Sequence, residues 1–172
     1  MTRTNAREIA VHLSYELGFG TESAQVLLDR ELTRENFASL AEEEPLYEEF
    51  PSKKLLDYIR TLVLGVSEHG YELDLYIERY AIGWKFARLP RVSTAIMRVA
   101  MYEILYMDDI PNAAAINEAV EIAKGYEDPE MVSFINGILG SFVRAECPDT
   151  PPRPEPRQDA EEEPASEALA EE

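Results

Sequence analysis

Apolar residues recur at helical spacing through nearly all of residues 1–145, and this periodicity limits the possible fold more than any other feature of the sequence. Between Ser52 and Glu68, five apolar side chains fall on one helical face; Ser52 can cap the first turn and Gly70 lies just past the end. No segment alternates apolar β-branched and polar residues over a sustained run, so no sheet is expected. The sequence predicts an all-α protein.

The segment 92–106 differs from the other helical segments because its apolar residues point all round. This pattern is typical of a central helix that several neighbours bury. Arg98 and Glu103 are the polar exceptions, and each needs a polar partner if it is buried. Further helices are predicted after Pro111 and after Asp128-Pro129, where the aspartate is an N-cap and the proline occupies the first helical position.

The N-terminal third of the chain is predicted to contain shorter elements. Asn5 and Glu8 have the spacing of a capping box, which predicts a first helix over about residues 6–17. The segment 21–50 indicates two short helices interrupted near Thr33. Together these elements predict a compact bundle of about seven helices over residues 1–145.

The composition changes sharply at residue 146. Residues 146–172 contain six of the eleven prolines, no aromatic residue, and ten carboxylates against two arginines, which gives a charge of −8 beside −10 for residues 1–145. Such a segment cannot bury enough apolar surface to offset the entropy lost on ordering. We therefore expect a helical domain over 1–145 followed by a disordered acidic tail.

Several functional classes are disfavoured by residue content. Cys147 is the only cysteine, so an intrachain disulfide and a multi-cysteine zinc site are excluded. The N-terminus lacks a secretory apolar block and no apolar run is long enough to span a membrane, which predicts a cytoplasmic protein without membrane contact. His12 and His69 are the only histidines, and neither has the glutamate three residues earlier that a ferritin-like metal bundle needs.

No feature of the sequence predicts catalysis. There is no glycine-rich phosphate loop, and the many carboxylates are more typical of a solvated helical surface than of a catalytic pair. The sequence thus predicts a binding protein that is not an enzyme and uses no cofactor or metal.

Two clusters are unusual for helix packing alone. In the segment 84–91, Lys85, Arg88 and Arg91 stand beside Trp84 and Phe86, a combination that can stack bases and neutralise phosphates. The alternative, which the local sequence favours, is that the aromatics close the core and the cations pair with carboxylates. The second cluster is the segment 134–137, where a mid-helix glycine that costs about 1 kcal/mol suggests close approach by another helix or by a partner.

Several motifs along the chain, taken together and in their order, resemble those of one known protein family. They are Trp84, Leu89-Pro90-Arg91, the run from Ile96 to Ile104, Ile110-Pro111, the run from Ile116 to Lys124, and Phe134-Ile135-Asn136-Gly137, preceded by Ala6-Arg7-Glu8, Ala10 and Tyr15. In this order, from about Arg3 to Val143, the chain resembles the NusB family of transcription antitermination factors.

The resemblance implies a NusB-like all-helical fold and an RNA-binding adaptor. Such a protein would bind the boxA element of nascent rRNA transcripts together with NusE, a small-subunit ribosomal protein, in the RNA polymerase antitermination complex, and would promote processive rRNA transcription without contacting DNA. Residues that match the family's RNA contacts are Arg3, Arg7, Phe134 and Asn136. Residues that match its NusE-facing surface are Tyr15, Arg91 and Ser93.

The chain departs from the family pattern at three positions. Thr4 and Asn5 stand where the family often has arginines, and Ser133 stands where a lysine is common. Each lost cation removes about one phosphate's worth of counterion release, so weaker RNA binding is expected. The alternative function is a protein-only adaptor that keeps the NusE-binding face and has weak or no RNA binding of its own.

Overall fold

A computed structural model of the protein describes residues 1–148, and within this range the chain is all-α. Capping side chains and apolar periodicity define most of its helix boundaries, and two short 3₁₀ turns, Pro45–Tyr47 and Phe86–Arg88, lie in the loops. The helices are α1 (Arg3–Leu17), α2 (Ala24–Glu31), α3 (Arg34–Leu40), α4 (Lys53–Glu68), α5 (Gly70–Tyr80), α6 (Arg91–Tyr106), α7 (Asn112–Lys124) and α8 (Pro129–Glu146).

Helix α6 is the centre of the bundle, as its all-round apolar pattern predicts. It packs against α1, α4, α5, α7 and α8, and Met97 and Met101 are fully buried. The two charged residues in its interior both have partners. Arg98 donates hydrogen bonds of 2.6 and 2.8 Å to Asp74, and Glu103 is completely buried against α1 and α4. The expectation that Arg98 and Glu103 each need a polar partner is confirmed.

The first helix begins three residues earlier than its predicted start. Thr2 is the N-cap, its hydroxyl accepts from the Asn5 backbone N–H, and the Asn5 side chain accepts from the Thr2 backbone N–H. Asn5 therefore closes the capping box and does not open one with Glu8, so the predicted pairing is wrong. The shift places Arg3 in the first helical turn.

The segment between α1 and α6 matches the prediction except at one helix. The interruption near Thr33 is confirmed, because the Thr33 hydroxyl caps α3. Gly70 follows the end of α4, as predicted, but it also begins a helix that was not predicted, α5, because His69 joins the two helices without a loop. Leu73 and Ile77, four residues apart and fully buried, are the apolar signal of α5 that was missed.

Helix α8 ends beside α5. Glu146 accepts hydrogen bonds from Arg79 and from the Tyr80 hydroxyl, so the C-terminal end of α8 lies close to the end of α5. The predicted tail, 146–172, falls outside the described residues from position 149 onward. No helix within residues 1–148 is long and apolar enough to cross a membrane.

Candidate RNA- and protein-binding surfaces

The first turn of α1 presents Arg3 to solvent. Its side chain is 44% exposed, its Nη2 lies 3.2 Å from the Asp109 carboxylate, and its guanidinium carbon lies 4.5 Å from the centre of the Tyr58 ring. An exposed ion pair of this kind contributes little free energy and is easily exchanged for another anion. Arg3 is therefore available to a phosphate.

Arg7, one turn further along α1, lies in the core and not on the surface that the resemblance suggests. Its Nε and Nη2 donate to the two oxygens of Glu103 at 2.6 and 2.9 Å, and its Nη1 lies 3.4 Å from Glu118. Burial opposes the charge on this guanidinium, but hydrogen bonding and attraction to Glu103 outweigh burial and raise the pKa of Arg7. The completely buried Glu103 needs this counter-charge, so Arg7 is not free to meet RNA.

Phe134 and Asn136 face different grooves on opposite sides of α8. Two residues along a helix turn the side chain by about 200°, which separates the two directions. Phe134 is half-buried in a groove of about 520 Å³ between α8 and the segment that follows α5. Asn136 is exposed in a groove of about 610 Å³ between α7 and α8, beside Asn117 and Val120.

Trp84 lies in the Phe134 groove and does not close the core. The indole is 44% exposed, and its ring centre lies 5.5 Å from that of Phe134. Lys85 and Arg88 are exposed and form no ion pair with a carboxylate of residues 1–148. The interpretation favoured from local sequence is therefore wrong for Trp84 and for these two cations, while Phe86 does pack against the core.

Gly137 also faces the Phe134 groove, and an added Cβ there would meet no atom within 4 Å. No helix of residues 1–148 makes the close approach that was one explanation for this glycine. The open space leaves a binding partner as the remaining explanation.

Tyr15 and Arg91 meet at a residue that the sequence analysis missed, Phe19. The Tyr15 and Phe19 rings pack edge to face with their centres 4.8 Å apart, and the Arg91 guanidinium carbon lies 4.5 Å from the centre of the Phe19 ring. Phe19 is 57% exposed. Its position between two glycines directly after α1 was the available signal, since an aromatic residue in such a turn has little apolar cover.

Ser93, the third residue matched to the NusE-facing surface, is completely buried. Its hydroxyl donates a 2.7 Å hydrogen bond to Glu127, in the turn between α7 and α8. Ser93 thus holds this turn beside the N-terminal end of α6 and does not itself reach the surface.

His12 extends the exposed aromatic surface around Tyr15 toward α7. Its Nδ1 lies 2.9 Å from the Tyr47 hydroxyl and its Nε2 contacts the Tyr126 hydroxyl, which donates to Glu8 at 2.8 Å. Burial lowers the pKa of His12, although the nearby carboxylates of Glu8 and Glu44 act in the opposite direction. No group of three potential metal-ligating side chains occurs among the described residues.

Comparison with known proteins shows which family the chain is similar to. The NusB family model matches residues 4–144. The transcription antitermination protein NusB of Carboxydothermus hydrogenoformans is 42% identical over 140 residues, which are 81% of this chain and 91% of that protein. The NusB of Acetivibrio thermocellus is 38% identical over 144 residues, which are 84% of this chain and 90% of that protein.

Solved structures agree on the fold. A structure of T. maritima NusB superimposes on this chain with a TM-score of 0.68 at 28% identity. The match covers 84% of this chain and 92% of that one. A NusB crystallised with NusE and double-stranded RNA gives a TM-score of 0.65 at 23% identity, covering 83% of this chain and 96% of that one. With its family motifs in order on the expected helices, this chain belongs to the NusB family.

Proposed function

We propose that this protein is a transcription antitermination factor that binds the boxA element of nascent rRNA together with NusE and promotes processive rRNA transcription. It acts in the cytoplasm, in the RNA polymerase antitermination complex, as a binding protein without a catalytic step and without contact to DNA. Membership of the NusB family supports this proposal.

The observation that carries the proposal is the arrangement of α1. This helix presents Arg3 at its first turn and Tyr15 near its last, about 18 Å apart along the axis. Both side chains are exposed. RNA and a protein partner can therefore occupy the two ends of one rigid helix at the same time.

The RNA surface comprises Arg3, Phe134 and Asn136. Arg3 meets a phosphate, the Phe134 ring packs against a base, and the exposed Asn136 amide reads a base edge. Arg7 contributes indirectly, because its ion pair with Glu103 holds the N-terminal half of α1 on α6.

The NusE surface comprises Tyr15, Phe19 and Arg91, an exposed aromatic pair beside a cation. Aromatic and arginine side chains of this kind commonly dominate protein interfaces. Ser93 supports the surface from below through Glu127.

The RNA surface can be tested with a pair of matched variants. Arg3 and Arg34 each lie over an aromatic ring, at 4.5 and 4.6 Å, but on different helices. We expect Arg3→Ala to weaken boxA binding by the NusE complex and to reduce the salt slope by about one unit or less, as loss of one phosphate contact predicts. Arg34→Ala should leave both quantities unchanged. Equal effects of the two variants would contradict the RNA surface.

The NusE surface has its own test. We expect Tyr15→Ala and Phe19→Ala each to weaken NusE binding measured by calorimetry, whereas Tyr71→Ala, which removes an 80% exposed ring from α5, should not. If all three variants bind NusE equally well, the partner surface lies elsewhere.

The protein-only adaptor is the second candidate, and the position of Arg7 favours it. With Arg7 in the core and residues 1–145 carrying −10, few cations remain for RNA. Binding of boxA with and without NusE separates the two functions. RNA affinity of the NusE complex that exceeds that of NusE alone and depends on Arg3 supports the antitermination factor; equal affinities support the adaptor.

A further inference from the structure

The stretch from Arg79 to Tyr102 has an unusual charge for this chain. Its 24 residues contain five cations and no carboxylate, in a protein whose net charge is −18. Arg79 and Arg98 are paired with Glu146 and Asp74, and Arg91 lies over Phe19. Lys85 and Arg88 remain exposed without a carboxylate partner in the described range, so the loop before α6 carries local positive charge.

Trp84 borders this positive loop and forms one wall of the Phe134 groove. The two ring planes are tilted by 40° with their centres 5.5 Å apart, and Ile82, which is 86% exposed, lies beside them. The groove volume of about 520 Å³ falls within the range of small-ligand sites. The groove is open at Gly137, because no atom lies within 4 Å of the position that a Cβ would take there.

The loop backbone fixes where Trp84 stands. Gly83, the residue before it, has a φ of +84°, a conformation that residues with a Cβ rarely adopt. The Trp84 backbone N–H donates to the Ala81 carbonyl at 3.2 Å, which closes the turn without a ligand and places the indole at the groove. An aromatic residue that is prepositioned and half-exposed is suited to stacking.

The polar groups of the groove are arranged asymmetrically. Asp128, Glu130 and Ser133 lie on the α8 side, while Lys85 follows Trp84 on the loop side. The carboxylates repel a phosphate but accept hydrogen bonds from the amino groups of a base, whereas Lys85 attracts a phosphate. This polarity fits a nucleotide whose base stacks on the exposed part of the Trp84 indole, beside Phe134, and whose phosphate stays on the loop.

We propose that Trp84 and Phe134 form a stacking subsite for an unpaired base of single-stranded RNA, with Lys85 on the adjacent phosphate. The inference rests on the proposed RNA-binding function and adds Trp84 and Lys85 to it. The subsite lies across α8 from Asn136, so a strand that crosses this helix has its bases on both sides of it.

The single tryptophan of the chain makes the subsite directly observable. Titration of the full-length protein with labelled single-stranded boxA RNA, in the presence of NusE, follows RNA anisotropy and tryptophan emission together; a NusE without tryptophan keeps Trp84 the only emitter. We expect Trp84 emission to be quenched with the same midpoint as the anisotropy change. An RNA with one abasic nucleotide should bind without quenching when the missing base is the one that stacks.

Substitutions give a second readout. Trp84→Leu should weaken RNA binding by about 5- to 150-fold with little change in salt slope, as the loss of one stacked base predicts, and Trp84→Phe should retain most of the affinity. Lys85→Gln should lower the salt slope by about one unit or less. Tyr71→Leu and Arg34→Gln, which change an exposed ring and a cation on other helices, are the matched controls and should have no effect. Thermal midpoints check that each variant is folded.

The possible failures are distinguishable. RNA that binds without quenching Trp84 and is indifferent to Trp84→Leu overturns the subsite and leaves the proposed function intact. Quenching by NusE alone would show that the groove takes protein and also overturns the subsite. An absence of RNA binding under every condition overturns the proposed function and the subsite together.

Discussion

The side chain that most changes the interpretation of the binding surface is Arg7. It belongs to a buried cluster in which Glu103 accepts hydrogen bonds from Arg7 and from the Tyr58 hydroxyl, at 2.9 Å in the latter case. Tyr58 in turn lies under the Arg3 guanidinium. The buried ion pair and the exposed Arg3 are therefore connected through one aromatic ring, that of Tyr58.

Removing one partner of this ion pair should be costly. Arg7→Ala leaves Glu103 buried without its counter-charge, and we expect a loss of about 3–5 kcal/mol in the free energy of unfolding, measured by urea titration. Arg7→Met with Glu103→Leu removes both charges and should recover much of the loss. If Arg7→Ala is fully stable and weakens RNA binding alone, Arg7 leaves the core when RNA binds.

His12 gives the protein a pH dependence with a defined sign. Burial lowers the folded-state pKa of His12 below its ordinary 6.5, so the unfolded chain binds the proton more readily. The free energy of unfolding should therefore fall as the pH drops below about 6.5, until the folded-state pKa is also passed. We expect His12→Gln to reduce this dependence in unfolding titrations between pH 7.5 and 5.5. Identical slopes in both proteins would exclude His12 as the source.

At the scale of the helices, the contact between α4 and α6 depends on the absence of a side chain at Gly65. A Cβ at Gly65 would overlap the ring of Tyr102, which packs against Tyr106 and His69. Gly65 therefore fixes how closely the two helices approach. Gly137, also within a helix, has no such neighbour.

Because of this difference, replacing glycine with alanine should change the free energy of unfolding in opposite directions at Gly65 and at Gly137. Gly65→Ala should destabilise the protein by about 1–3 kcal/mol through overpacking, although alanine favours a helix. In a Tyr102→Ala background the same substitution should become neutral or stabilising. Gly137→Ala should stabilise by about 0.5–1 kcal/mol, because nothing opposes the helix propensity. Unfolding titrations measure all three, and destabilisation at Gly137 would contradict the open floor of the groove.

Most helices could be predicted because apolar periodicity and capping residues mark them in the sequence. The exceptions are positions where tertiary packing decides the conformation. Gly70 is typical of a helix end, yet it starts α5, because His69 joins two helices without a loop. The site was less predictable for the same reason. Only tertiary packing decides that Arg7 points inward to Glu103 while Arg3 points outward, since both lie in the first two turns of one helix.

At the scale of the whole molecule, charge is distributed unevenly between the helical bundle and the C-terminal segment. Residues 149–172, beyond the family match at 4–144, contain nine carboxylates and two arginines, a net charge of −7. They follow α8, which ends beside Arg79 and Tyr80, a few residues before the positive loop at Lys85 and Arg88. Because this segment is attached near that loop, we expect its negative charge to lower the local concentration of RNA phosphates there.

Removal of residues 149–172 should therefore change binding without changing the fold. The segment lacks aromatic residues and is rich in proline, so the thermal midpoint should move by less than about 5 °C, which is roughly 1 kcal/mol in a domain of this size. RNA affinity should rise several-fold at about 10 mM salt, where the Debye length is about 30 Å, and the gain should shrink at about 150 mM, where it is about 8 Å. Full-length protein with the nine carboxylates changed to amides separates charge from chain length and should bind as the truncated protein does. Equal RNA affinities of all three proteins at low salt would mean that these carboxylates exert no effective field on the proposed RNA surface.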